Sequence, residues 1–158
     1  MSTTDRPRIV HLALKVDDLE RTTAFYRDVF GFTEVETTKV RDHTSRHLTD
    51  GSLDFALIKY DANTESAESR AAGSGPCIHH FAVEVDDLDA TRRQVLAYGC
   101  EIISDEGVIP VKFRAPGGTV AELVPRARYE KARQGEPLSA QEQDRPSAGR
   151  APGRHDRA

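Results

Sequence analysis

Two histidines occupy the same place in two copies of one short phrase. His11 opens the alternating run of VHLALKVDDL at residues 10–19, and His80 does the same in HHFAVEVDDL at 79–88, an offset of 69 residues. Near neutral pH an imidazole can take up a proton, give one away, or serve as a neutral metal ligand. A single histidine on an apolar strand is more commonly a hydrogen-bonded core residue, so neither position is informative alone. A pair at matched positions of a repeat is a stronger sign of shared chemistry. Other residues with chemical capacity lie nearby in sequence. His47 and His43 could act as acid or base. Lys112 and Arg114 could meet a carboxylate or phosphate.

The elements that would carry these residues follow from spacing. In IVHLALKV, residues 9–16, alternation sends Val10, Leu12, Leu14 and Val16 to one side and Ile9, His11, Ala13 and Lys15 to the other. The second copy places His80, Ala82 and Glu84 on one face and His79, Phe81, Val83 and Val85 on the other. His79 is therefore expected to point away from His80, unless a bulge exchanges the two. A helix follows each strand, capped by Asp17 for residues 18–30 and by Asp86 for residues 87–98. Leu19, Thr22, Tyr26, Val29 and Phe30 have helical spacing, which makes Tyr26 a core residue, and Gly31 and Gly99 supply stops. Further strands are expected over 32–40, 45–50 and 52–60, and again over 100–106, 108–114 and 119–125. Asp50-Gly51 and Pro116-Gly117-Gly118 supply turns. Each half thus reads βαβββ: module one over 8–60, a polar linker over 61–75, and module two over 76–125.

Composition limits the function classes. Hydrophobic residues make up 37% of the 158, enough for one real interior, so residues 1–125 are expected to form a single domain. The tail from Arg126 to Ala158 holds eight Lys/Arg against five Asp/Glu, which leaves 14 against 21 for the body. An acidic body argues against nucleic acid as a partner, because phosphate contacts need a clustered basic face. From about residue 132 the tail is short of apolar side chains and is expected to be disordered, so 126–158 is read as mostly disordered. No secretory pattern and no run of eighteen apolar residues is present, so the expectation is a cytoplasmic protein with no membrane partner. Cys77 and Cys100 fit neither a disulfide framework nor a close-spaced zinc pattern.

Residues 8–125 resemble the vicinal oxygen chelate superfamily, which includes glyoxalase I, methylmalonyl-CoA epimerase, fosfomycin-resistance proteins and extradiol dioxygenases. The resemblance rests on the first-strand histidine, the Asp-Asp-Leu helix start, FYRDVFGF after it, and FRAPGGTVAEL near the end. It implies an α+β fold in which two βαβββ modules with curved mixed sheets form a cup around one divalent metal ion. The ligands implied are His11, His80 and Glu122. The fourth slot, counted four residues from Gly51 as Glu122 is from Gly118, falls on Phe55, which cannot ligate. Two imidazoles and a carboxylate suit iron, manganese, zinc, nickel or cobalt and leave positions open for a substrate with adjacent oxygens. By the same resemblance Phe55 and Phe113 wall the pocket, Lys112 and Arg114 meet a small-molecule substrate, and His47 or Glu122 moves protons. The activity implied is that of an isomerase or lyase stabilising an enolate or oxyanion. An Fe(II) ring-cleaving dioxygenase and a non-catalytic binding protein are the alternatives, and a homodimer is the family's habit.

Overall fold

The computed structural model describes residues 6–136. The apolar alternation around each histidine becomes a strand, β1 (Arg8–Lys15) and β5 (Cys77–Val85). Each is followed by a helix, α1 (Leu19–Phe30) and α3 (Leu88–Ala97). Module one continues with β2 (Thr33–Val40), β3 (His43–Thr49) and β4 (Asp54–Tyr60), and module two with β6 (Val111–Arg114) and β7 (Val120–Pro125). Two short helices, α2 (Ala67–Ala72) in the linker and α4 (Glu130–Arg133) after β7, complete the described chain.

One curved seven-stranded sheet contains all the strands, in the order β2-β3-β4-β1-β5-β7-β6. β1 runs parallel to β4 and β5 parallel to β7, while β1 and β5 pair antiparallel in the middle. The two modules are therefore joined within one chain, strand to strand. The convex face is apolar and covered by the helices. Under α1 lie Val16, Leu48, Phe55 and Leu57, with Leu19 and Tyr26 of the helix packed against them, Tyr26 as its spacing foretold. Under α3 lie Val85, Val111, Phe113, Ala121 and Leu123. The concave face is lined by the alternate residues, many of them polar.

Several boundaries differ from the sequence reading. The caps are Asp18 and Asp87, each accepting from the backbone N–H three residues on, rather than Asp17 and Asp86. Either aspartate of the pair has the right chemistry, and the strand's exit decides which one precedes the first helical turn. The strand expected over 100–106 reduces to a single bridge between Ile102 and Phe113, and the next begins only at Val111. Gly107 and Pro110 interrupt the run, and proline has no N–H to give a ladder. Module two is thus shorter by a strand than βαβββ. The described start of the stretch read as mostly disordered, residues 126–136, carries α4 and packs on the concave side. Tyr129 and Ala132 are buried against Val10, Ala82 and Val124. An aromatic ring and a small residue suffice as anchors where large aliphatics are lacking. The rest of the tail, from 137, lies outside the described residues. Cys77 and Cys100 are free and half-buried, and no described helix is long and apolar enough to cross a membrane.

Candidate metal centre

Two cross-strand rows on the concave face hold the chemistry, and the pseudo-twofold between the modules exchanges them. One row runs Lys112, Glu122, Ala82, His11, Asp54 across β6-β7-β5-β1-β4. The other runs His47, Ala56, Ala13, His80 across β3-β4-β1-β5. Corresponding places hold Lys112 and His47, Glu122 and Ala56, and His11 and His80. This register corrects the count from the turn glycines: the fourth ligand slot belongs to Ala56, and Phe55 points the opposite way into the α1 core. A methyl group ligates no better than a phenyl ring.

The rows bring His11, His80 and Glu122 together. His11 Nε2 lies 3.0 Å from His80 Nε2, and His80 Nε2 lies 3.3 Å from Glu122 Oε1. All three side chains are buried. Each imidazole is held from behind at its other nitrogen. His11 Nδ1 lies 2.5 Å from Asp54 Oδ2, and His80 Nδ1 lies 2.6 Å from His79 Nδ1. When His11 donates its Nδ1 proton to Asp54, its Nε2 presents a lone pair to the cluster. Beside it, Glu122 Oε2 is buried with no hydrogen-bond partner. Leaving such an atom unsatisfied costs about 1–3 kcal/mol or more for a charged group. Ligand atoms about 2.1 Å from one ion are roughly 3.0–3.4 Å apart, which matches these separations. The donor set, its spacing and its orphaned oxygen all fit a divalent cation.

A β-bulge re-aims each histidine. The β1-β5 register slips at Val10 and again at His79, the residues immediately before His11 and His80. In module one the bulge turns Val10 in beneath Tyr129, away from Leu12 and Leu14. In module two it brings His79 against His80, contrary to simple alternation. His79 Nε2 then meets the Tyr60 hydroxyl at 2.8 Å. Burial holds His79 down at about 4, so the ring is neutral near pH 7. Burial likewise pulls His80 well below the ordinary histidine value, with the charges of His11 and His79 adding to it.

Asp54 serves two rings at once, because His47 Nδ1 lies 2.9 Å from its Oδ1. Burial would raise Asp54, but the positive charge available on His11 and His47 outweighs it and holds the carboxyl well below its usual range. Burial would lower His47 in turn, and the charge of Asp54 outweighs that and raises it. His47 Nε2 lies 3.3 Å from the Ser45 hydroxyl. His43 is buried further along β3, 3.2 Å from Asp42. Opposite, Lys112 Nζ reaches Glu122 Oε1 at 3.5 Å and Glu68 Oε1, on the linker helix α2, at 2.5 Å. Burial would lower Lys112; the charges of Glu122 and Glu68 prevail and raise it.

Tyr129 closes one side by stacking on His11, with ring centres 4.5 Å apart and planes 6° apart. Burial, with Glu122 second, lifts its phenol far above the ordinary value, so it stays uncharged. Two surface cavities, of about 510 and 160 Å3, lie elsewhere, beside β1 and α1 and beneath the 104–109 loop. Around the cluster, Lys112 and Glu68 retain the most exposure, 21% and 27% of their side chains, and mark its solvent side.

Of the residues expected here, His11, His80, Glu122, His47 and Lys112 converge. Phe55 and Phe113 do not line the cup: each packs beneath a helix on the convex face, one place out of phase with it. Arg114 shares the row parity of Lys112 but is tied to the Gly118 carbonyl at 3.0 Å and to Glu101 at 3.8 Å. Asp54, Glu68 and Tyr129 were not anticipated. For Asp54 the signal was present, since Phe55 and Leu57 on one face leave Asp54, Ala56 and Ile58 on the other.

A paired-module sheet with histidines on both central strands and a glutamate on the parallel neighbour defines a cup-shaped α+β fold with a buried His/His/Glu cluster. The chain belongs to the Glyoxalase/Bleomycin resistance protein/Dioxygenase superfamily, whose model matches residues 8–122. It is similar to mitochondrial methylmalonyl-CoA epimerase of Mus musculus, 30% identical over 130 residues, covering 73% of this chain and 71% of that protein. Lactoylglutathione lyase of Haemophilus influenzae is 29% identical over 125 residues, covering 74% and 83%. In fold it matches methylmalonyl-CoA epimerase from Mycobacterium tuberculosis with a TM-score of 0.62 at 21% identity, covering 80% of this chain and 93% of that one. It also matches a mutant of 4-hydroxymandelate synthase from Streptomyces coelicolor, with a TM-score of 0.64 at 20% identity, covering 74% and 36%.

Proposed function

We propose that the chain is a metal-dependent isomerase or lyase acting on a small substrate with two adjacent oxygens, such as a 2-oxo, 2-hydroxy or acyl compound. The observation that carries this reading is the meeting of His11, His80 and Glu122 around one buried point, with Ala56 leaving the fourth slot open. A divalent ion held there would supply positive charge where a substrate develops negative charge on its oxygens. His47, fixed at Nδ1 by Asp54, is the proton carrier: its Nε2 takes a proton from the carbon next to the carbonyl and returns one to the same carbon or its neighbour. Lys112 binds the substrate's carboxylate or phosphate from the solvent side, replacing its contact with Glu68. Tyr129 keeps water from the face of His11. The same resemblance supports a homodimer, which light scattering tests.

The experiment is incubation of the metal-loaded protein in D2O with methylmalonyl-CoA and with the hemithioacetal of methylglyoxal and glutathione. Deuterium entering the substrate carbon without oxygen uptake, and its loss in His47→Gln, is the expected result. Oxygen uptake on catechols by iron-loaded protein would instead support the dioxygenase reading, which the His/His/carboxylate set also suits. Tight ligand binding without turnover, retained in His11→Ala, would make it a binding protein.

A further inference from the structure

The repeat carries a second, unshared histidine, and its placement has a consequence for the first. His79 occupies the bulge that Val10 occupies in module one. There it lies between two groups, with Nδ1 2.6 Å from His80 Nδ1 and Nε2 2.8 Å from the Tyr60 hydroxyl. It is buried, as is His80. At the place Asp54 takes behind His11, the register puts Val120 in module two. The Glu68 carboxylate on α2 lies within 4.8 Å of the His79 and His80 ring nitrogens, but the direct contact of His80 Nδ1 is His79.

We propose that His79 is the positioning residue of His80, accepting the His80 Nδ1 proton in the cation-loaded site and passing the orientation on to Tyr60. The inference rests on the reading of His80 as a metal ligand. The hydrogen-bond inventory permits one order. A His80 that gives its Nε2 lone pair to a cation carries its proton on Nδ1. His79 Nδ1, 2.6 Å away, must then be the acceptor, because two N–H groups cannot face each other at that distance. A neutral His79 accepting at Nδ1 carries its proton on Nε2, where Tyr60 oxygen receives it. The bulge is what makes this possible: with regular alternation His79 would sit under α3, and His80 would have no partner behind it. One imidazole of the centre is thus backed by an anion and the other by a neutral ring, so the two ligands differ in electron donation although their sequences repeat.

The test uses the full chain titrated with Co(II), followed by its visible absorption, and the Zn(II)-loaded chain, followed by the nitrogen-proton spectra of its histidines. His79→Leu keeps the volume and removes the acceptor; His79→Asn places a carbonyl oxygen where Nδ1 stood. The expected result is Co(II) binding weakened about 10–100-fold with an altered absorption band in His79→Leu, and largely restored in His79→Asn. In the Zn(II)-loaded protein, His80 should carry its proton on Nδ1 and His79 on Nε2. Normal Co(II) binding and an unchanged band in folded His79→Leu would overturn the inference while leaving the metal centre intact, as would a His79 proton on Nδ1 in the loaded protein. Failure of the unaltered chain to bind Co(II) or Zn(II) at all would overturn the metal reading and this inference with it.

Discussion

The two modules begin with the same phrase and finish with different chemistry. Both present a histidine from a central strand just after a β-bulge. Behind it, module one sets a charged carboxylate, Asp54, and module two a neutral ring, His79. Beside it, module one offers Ala56 where module two offers Glu122, and His47 where module two offers Lys112. The duplicated backbone delivers two histidines by symmetry, and divergence at four paired positions surrounds them with different groups. On the proposed reading, module two would supply the third ligand, Glu122, and an ammonium, Lys112, for an anionic substrate. Module one would supply the open slot at Ala56 and the aspartate-bound imidazole of His47 for moving protons.

The strongest way to break this comparison is at the unequal pair Glu122 and Ala56. Glu122→Ala should abolish Co(II) binding at micromolar metal, whereas Ala56→Glu should bind more tightly, lose turnover by filling the open slot, and lose roughly 1–3 kcal/mol of stability from overpacking around Ala13 and Ile58. Urea unfolding and metal titration read both effects. The next largest effect is at Asp54, which is fully buried between two rings. Asp54→Ala should destabilise the chain by about 3–5 kcal/mol. Asp54→Asn, which mimics the protonated carboxyl, should unfold at lower urea than wild type but less so than Asp54→Ala, and should bind metal about 10–100-fold more weakly, because His11 loses its anionic support.

A smaller effect separates the two backing groups by pH. His79 is held near 4 by burial, so the folded chain leaves it neutral where an unfolded histidine is protonated. Between about pH 6.5 and 4 the unfolded state binds the extra proton, and stability falls as pH falls through that window. Metal-free protein should lose about 2 kcal/mol from this group between pH 7 and pH 5, and His79→Asn should lose correspondingly less. Asp54 acts in the other direction of charge: its depressed carboxyl adds stability above the ordinary carboxylate range, and that is lost only in stronger acid. Smallest of all, Phe55→Leu and Phe113→Leu should each cost roughly 1 kcal/mol in unfolding and leave metal affinity and KM unchanged, since both rings pack on the helix side.

Much of this was legible in the residues alone. The repeat marked His11 and His80, alternation put each on a face with small neighbours, and the later hairpin supplied Glu122. Alternation fails where a bulge intervenes, and both bulges fall at the residue before His11 or His80, which is why alternation alone sends His79 to the wrong side. Counting from a turn glycine fails when two turns differ in length: the Asp50-Gly51 turn runs on through Ser52 and Leu53, both held by the Asp50 side chain, so β4 starts late. One residue of error moved Phe55 onto the cup and Ala56 out of it. Asp54 is separated from His11 by 43 residues and Glu68 from Lys112 by 44, and only the parallel β1-β4 register and the docking of α2 show them as neighbours.

The most direct test is the metal content of the purified protein, compared with that of His11→Ala, His80→Ala and Glu122→Ala. This account predicts one divalent ion per chain in the unaltered protein and a loss in each of the three folded variants. Metal-free protein that takes up no added ion, or an ion retained when all three side chains are removed in turn, would contradict it.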